Sequence, residues 1–231
     1  MSRFLATFLA AAAISVLTHS AGHAEGLVFK LPADGAWARY AVDGKAIGDE
    51  GQVRVSVAGS ALFSSVGRST VDGKECRWIE VETTVKFTRD DREAEFTEIF
   101  KLLIPEASLS RGHNPREHVL KAYKKERQGT IRELDLDGTG RREVESLDEI
   151  FHGTLPMVET LGEKTIDCKL GKLDCRGEKG DDGADFTTET WLNEKAPFGV
   201  VRYSYQKRRR GMSFTLEDAG AGAESKLPDS N

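Results

Sequence analysis

Glu80 and Glu82 follow Trp78 in the run Cys76-Arg77-Trp78-Ile79-Glu80-Val81-Glu82. In a strand, alternation puts these three side chains on one face. A carboxylate pair beside an aromatic ring can serve glycan hydrolysis. The polar end of a curved strand explains the same residues, and no spacing selects them above the other carboxylates. His113 and His118 are five apart in His-Asn-Pro-Arg-Glu-His. A helical zinc pair needs four, so with His152 a site would have to assemble through tertiary folding, and no metal is expected. Asp135-Leu136-Asp137-Gly138-Thr139-Gly140 fits the first half of a calcium loop, but Ser146 stands where the bidentate Glu belongs. A Gly-rich hairpin turn is expected there. Lys207-Arg208-Arg209-Arg210 forms a basic tip, suited to a phosphate, a lipid headgroup or an acidic polymer, or simply to solvent. No G-x-S-x-G, P-loop or G-x-G-x-x-G occurs. No catalytic residue and no cofactor is nominated. A non-catalytic role ranks first, and whether the protein is an enzyme stays open.

The elements that must carry these residues begin after an export signal. Arg3, the apolar run Phe4–Leu17 and Gly22-His23-Ala24 read as a signal peptide over residues 1–24. The run falls short of the roughly 20 residues that a spanning helix needs, and no later stretch approaches that length, so no transmembrane segment is expected. Cleavage after Ala24 leaves 207 of the 231 residues. One β-rich domain over residues 25–218 is expected, followed by a flexible C-terminal tail over residues 219–231. The destination is the periplasm or the extracellular space. The net charge of −5, or −6 without Arg3, argues against a nucleic-acid partner. An exported chain can keep a disulfide. Of Cys76, Cys168 and Cys175, a Cys76–Cys175 pairing is preferred, with three buried thiols as the alternative.

Alternation dominates the rest of the chain. Strands are expected at Trp37–Val42, Gln52–Ala58, Ala61–Val66, Cys76–Phe87 and Glu95–Ile104, with turns at Asp43-Gly44, Gly59-Ser60 and Asp72-Gly73. Asn114 and Pro115 signal a helix start, extended to about Arg127. Residues 130–146 read as a hairpin around Asp137–Gly140. Between Lys164 and Glu217 four strands follow one another. In the first hairpin, a turn at Gly171-Lys172 sets Cys168 opposite Cys175 and Leu170 opposite Leu173. In the last, Val201, Tyr203 and Tyr205 share a face with Met212, Phe214 and Leu216. The fold class is therefore mainly β (α+β), a curved antiparallel sheet or half-barrel with one or two covering helices.

Trp191, Pro197, Phe198 and Gly199, in Thr190-Trp191-Leu192-Asn193-Glu194-Lys195-Ala196-Pro197-Phe198-Gly199-Val200-Val201, form a strand–corner–strand unit. With Gly171–Arg176 and the strand–turn–strand after Gly199, this unit resembles the half-barrel fold of the LolA/LolB lipoprotein carriers. Cys76–Glu80 and Leu103-Ile104-Pro105-Glu106 resemble a narrower uncharacterised exported family. The resemblance implies an antiparallel sheet wrapped around a helix-lined hollow. It carries over no residue for lipoprotein transfer. The leading function is binding of a lipid or other hydrophobic or amphipathic ligand in the concave face, or of an envelope protein partner. The speculative lining is Trp37, Trp78, Phe100, Trp191, Phe198 and Tyr203. An envelope structural or interaction protein without a pocket comes second, and a carboxylate-based hydrolase third.

Overall fold

The computed structural model describes residues 26–227 apart from 91, 111, 127–128, 148 and 152–154. The residues expected to form a signal peptide and His152 lie outside the described residues. Eleven strands follow in chain order: β1 (Trp37–Ile47), β2 (Val53–Val71), β3 (Lys74–Arg89), β4 (Arg92–Pro105), β5 (Lys121–Lys125), β6 (Ile131–Glu133), β7 (Met157–Cys168), β8 (Gly171–Asp181), β9 (Phe186–Leu192), β10 (Val200–Lys207) and β11 (Arg210–Gly220). They form one antiparallel sheet in the order β6-β5-β4-β3-β2-β1-β11-β10-β9-β8-β7. The sheet is open, with β6 and β7 at its edges. It also coils. Four strand steps separate β7 from β11, about 19 Å on a flat sheet. Yet residues of β7 come within 8 Å of β11, Cα to Cα.

Asp72 and Gly73 both take positive φ, 51° and 76°, so the β2–β3 turn has the left-handed backbone that matches strand twist. From there β2 runs 19 residues without a break. The turn expected at Gly59-Ser60 is absent, because Gly59 pairs with both Val42 and Val85 inside the sheet. A glycine is needed there for space. A Cβ would lie 2.1 Å from the Thr84 carbonyl oxygen and 2.8 Å from Val85 Cα. Asp43-Gly44 is likewise no turn, since Gly44 pairs with Val57 and Met212.

One helix, α1 (Thr139–Glu145), occurs among the described residues, with two short 3-10 turns. It replaces the hairpin expected around Asp137–Gly140. The Asp135 carboxylate accepts from Asp137 N and the Asp135 carbonyl from Gly138 N, turning the chain into the helix. The helix expected from Pro115 stops at His118. Its cap is real, with Asn114 Oδ1 accepting from Arg116 N. The chain then pairs with β4 as β5, which sends Ala122 to the main core and Tyr123 to the opposite face. A lysine-rich segment reads equally well as a polar helix or a half-exposed strand, and sheet pairing decides.

The β7–β8 turn falls two residues earlier than expected. Cys168 pairs with Gly171 and Lys164 with Cys175, and Gly171 takes φ +99°. The change is an even number of residues, so Cys168, Leu173 and Cys175 still share a face. All three cysteines are free thiols, and the bridge expected between Cys76 and Cys175 is not formed. Six strand steps separate their strands, and each thiol is turned to a nearby carbonyl, Lys74 O for Cys76 and Leu173 O for Cys175. Burial pushes the Cys175 thiol up to about 11 and raises that of Cys76. Iodoacetamide at pH 8 should therefore label half-buried Cys168 alone in the folded protein and all three cysteines in guanidine. Peptide mass spectrometry reads the outcome, and only one alkylated cysteine after unfolding would reveal a bridge.

Candidate binding site at the mouth of the concave face

Tyr40, Phe63, Val81, Phe100, Tyr203 and Phe214 project from the sheet into one core cluster. The concave side is largely filled. Val144 of α1 and Leu147, Phe151 and Leu155 after it pack onto these residues, and Leu27 closes the cluster from the N-terminal side. Phe63 is the hub, with ring centroids 5.9 Å from Tyr40, 5.8 Å from Phe151 and 5.8 Å from Phe198.

At one end the filling stops. Val42, Val57, Thr83, Val85, Phe87, Met212 and Phe214 from four strands face Ser146, Glu149 and Ile150 across a small apolar cleft of about 130 Å³. Three contacts hold this cover. Ile150 N donates to Leu147 O, Leu27 N donates to Ile150 O, and the Tyr205 hydroxyl donates to the Glu149 carboxylate. The cleft thus has apolar walls and one polar rim, a form suited to the apolar end of an amphipathic molecule.

The Tyr205 hydroxyl titrates well above the ordinary tyrosine range, first because it is buried and next because it bonds Glu149. Burial raises Tyr40 in the same way, where the hydroxyl donates to Val200 O at 3.1 Å. The unfolded chain ionises both near pH 10 while the folded chain keeps both protons. Their stabilisation is therefore whole below pH 10 and is lost as pH rises beyond it, by about 1.4 kcal/mol per pH unit for each group. Urea melts between pH 9 and 11 should show this decline. Tyr205→Phe should remove about half of the slope, and an unchanged slope would contradict the assignment. Near α1 the sign is opposite. Hydrogen bonds from the Arg132 guanidinium hold the Glu143 carboxyl below its usual range.

Of the six aromatic residues expected to line one hollow, Phe100, Trp191, Phe198 and Tyr203 join the main core cluster, whereas Trp37 and Trp78 do not. Trp37 and Trp78 lie on the opposite face, Trp37 against Gly220 and Trp78 6.0 Å from Tyr123. Trp191 lies over Gly177, donates to Glu189 and carries Lys164 5.3 Å above its ring. Glu80 and Glu82 are not a free pair, because both bond Lys226. The rings of His113 and His118 meet edge to face at 6.4 Å, and no metal-binding group of three residues occurs among the described residues. In the basic tip, Arg208 pairs with Asp185, Arg209 with Asp49, and Lys207 lies over Phe186. A wider trough of about 500 Å³ crosses the outer face between Asp43, Lys45, Lys179 and Glu189. Its charges are of mixed sign.

Sequence reasoning missed Glu149, which stands in a stretch without periodicity. It did reach Tyr205 by alternation. Lys101, the one charge in Ile99-Phe100-Lys101-Leu102-Leu103-Ile104, was a signal that went unread.

The described chain is thus an open, coiled antiparallel sheet with a plugged concave face. No protein-family model and no curated protein matches it. Three solved structures are similar over most of the chain. One is the β-barrel-like protein of a domain of unknown function, DUF1849, from Brucella abortus, at 12% identity, 84% of this chain, 99% of that chain and TM-score 0.44. Another is a Bacteroides fragilis protein described as exported, with a YmcC-like fold, at 8% identity, 84% and 99% coverage and TM-score 0.32. The third, from Parabacteroides distasonis, is described as a lipoprotein, at 11% identity, 85% and 99% coverage and TM-score 0.28.

Proposed function

We propose that this is an exported, non-catalytic binding protein of the cell envelope that holds the apolar end of an amphipathic ligand in the mouth cleft. The observation that carries this reading is the cleft itself, with apolar walls from β1, β2, β3 and β11 and a polar rim at Glu149, whose carboxylate accepts from the Tyr205 hydroxyl. Its 130 Å³ fits a short run of chain carbons rather than a whole lipid. The leader-like residues 1–24 support export. The resemblance to half-barrel carriers fits the reading, but the filled concave face offers much less room than a helix-lined hollow would.

A second reading, an interaction protein without a ligand, is favoured by that same filling. The hydrolase reading is weakened because Glu80 and Glu82 are engaged by residues 225–227. Native mass spectrometry of protein purified from its own envelope separates the first two readings. A co-purifying amphiphile, released by mild organic extraction, is expected. Recovery of bare chain alone favours the ligand-free reading.

A further inference from the structure

The face opposite the core carries two nearly inaccessible charges. Register lines up Trp37, Ser64, Glu80, Lys101 and Tyr123 as one row across β1 to β5. Glu80 is 3% exposed and Lys101 0%. What covers them is a segment of the chain's own C-terminal region that bends at Lys226 and Leu227. The Glu80 carboxylate accepts from Lys226 N at 3.0 and 3.2 Å, from Leu227 N at 3.2 Å and from the Ser225 hydroxyl. Lys101 Nζ donates to Ser225 Oγ at 2.8 Å and to Leu227 O at 3.2 Å. The two charges thus read main-chain donors and an acceptor of the same segment. Side chains add to the match. Lys226 pairs with Glu82, and Leu227 is buried against Ile99, Tyr123 and Trp78.

Burying a carboxylate and an ammonium is a weak source of stability. With the segment lifted away, both groups would regain water. We propose that this face is a peptide-recognition site for a short bent segment presenting a hydroxyl, a cation and an apolar side chain in succession. Residues 225–227 occupy it in cis, and the same segment from a second copy is its occupant in trans. A groove lined by Glu82, Glu95, Thr97, Ile99 and Lys125 continues from Lys226, which gives a longer segment room and an acidic wall.

The test is fluorescence anisotropy with a labelled peptide of residues 221–227. It is added to the full chain and to a full-chain variant with Lys226→Glu and Leu227→Asp. A tethered segment competes at an effective concentration on the order of millimolar, so the parent should bind the free peptide poorly. The variant should bind it saturably and at least tenfold more tightly, and adding Glu80→Gln should cost that affinity at least tenfold. Hydrogen exchange on the unmodified chain gives a reading independent of any variant. Millimolar peptide should speed exchange at the chain's own Lys226 and Leu227 amides. Equal binding by parent and variant, no saturable binding by the variant, indifference to Glu80→Gln or unaltered exchange would each overturn the proposal.

Discussion

Replacing Phe63 with alanine should lower the unfolding free energy by about 3–5 kcal/mol, the usual cost of emptying a buried phenylalanine site. The upper half of that range is expected. Phe63 is wholly buried and its ring touches Tyr40 of the sheet, Phe151 of the plug and Phe198 of the corner before β10. These three sites belong to separate parts of the chain, so no single rotamer change can refill the space. Since native domains are stable by only about 5–15 kcal/mol, much of the fold's margin would go. Urea denaturation followed by circular dichroism gives the value. A loss below about 1 kcal/mol would mean that plug and sheet do not share one core.

Gly59→Ala should cost nearly as much although it removes nothing. Overpacking a dense interior costs about 1–3 kcal/mol, and more where the obstructing atoms cannot turn aside. Here they are main chain, Thr84 O and Val85 Cα of the neighbouring strand, and a methyl group would force β2 and β3 apart. The damage should also reach the cleft, because Gly59 pairs with Val42 and Val85, two of its walls. Thermal melts of the parent and Gly59→Ala give the stability change. Unaltered melting would show that the sheet is not pinched at this point.

These two residues show what the sequence could disclose. Phe63 lies in Ala61–Val66, whose strand character is plain. The tyrosine hairpin reads correctly as to faces, and the register that the alternation leaves open sets Tyr203 opposite Phe214 and Tyr205 opposite Met212. Alternation is a local signal, and long curved strands keep it. Gly59 misleads because Gly-Ser spells a turn, and only the approach of β3 reveals that glycine is there for space. The helix expected from Pro115 fails for a related reason. Its cap is local, whereas the pairing of Lys121–Lys125 with β4 depends on residues some twenty positions away.

The binding surfaces were less legible. An aromatic side chain signals burial but not which side of a coiled sheet it joins. Trp37 and Trp78 therefore lie on the face opposite Phe100, Phe198 and Tyr203. Glu149 gave no signal, because its role comes from Tyr205, 56 residues later. For residues 219–231, small and polar residues suggest a loose tail, yet Ala219 and Gly220 close β11. Buried Leu227, 2% exposed, and its neighbours hold the tail through contacts that composition cannot express.

The claim that an apolar chain end enters between Val57 and Ile150 is tested most directly by equilibrium dialysis with a radiolabelled twelve-carbon fatty acid, on the parent and on Val57→Arg. Val57 is 8% exposed at the rim, so an arginine can reach solvent while its stem crosses the opening. Saturable uptake of about one molecule per chain, weakened at least tenfold by Val57→Arg, is the predicted result. No saturable uptake by the parent, or equal uptake by both proteins, would contradict it.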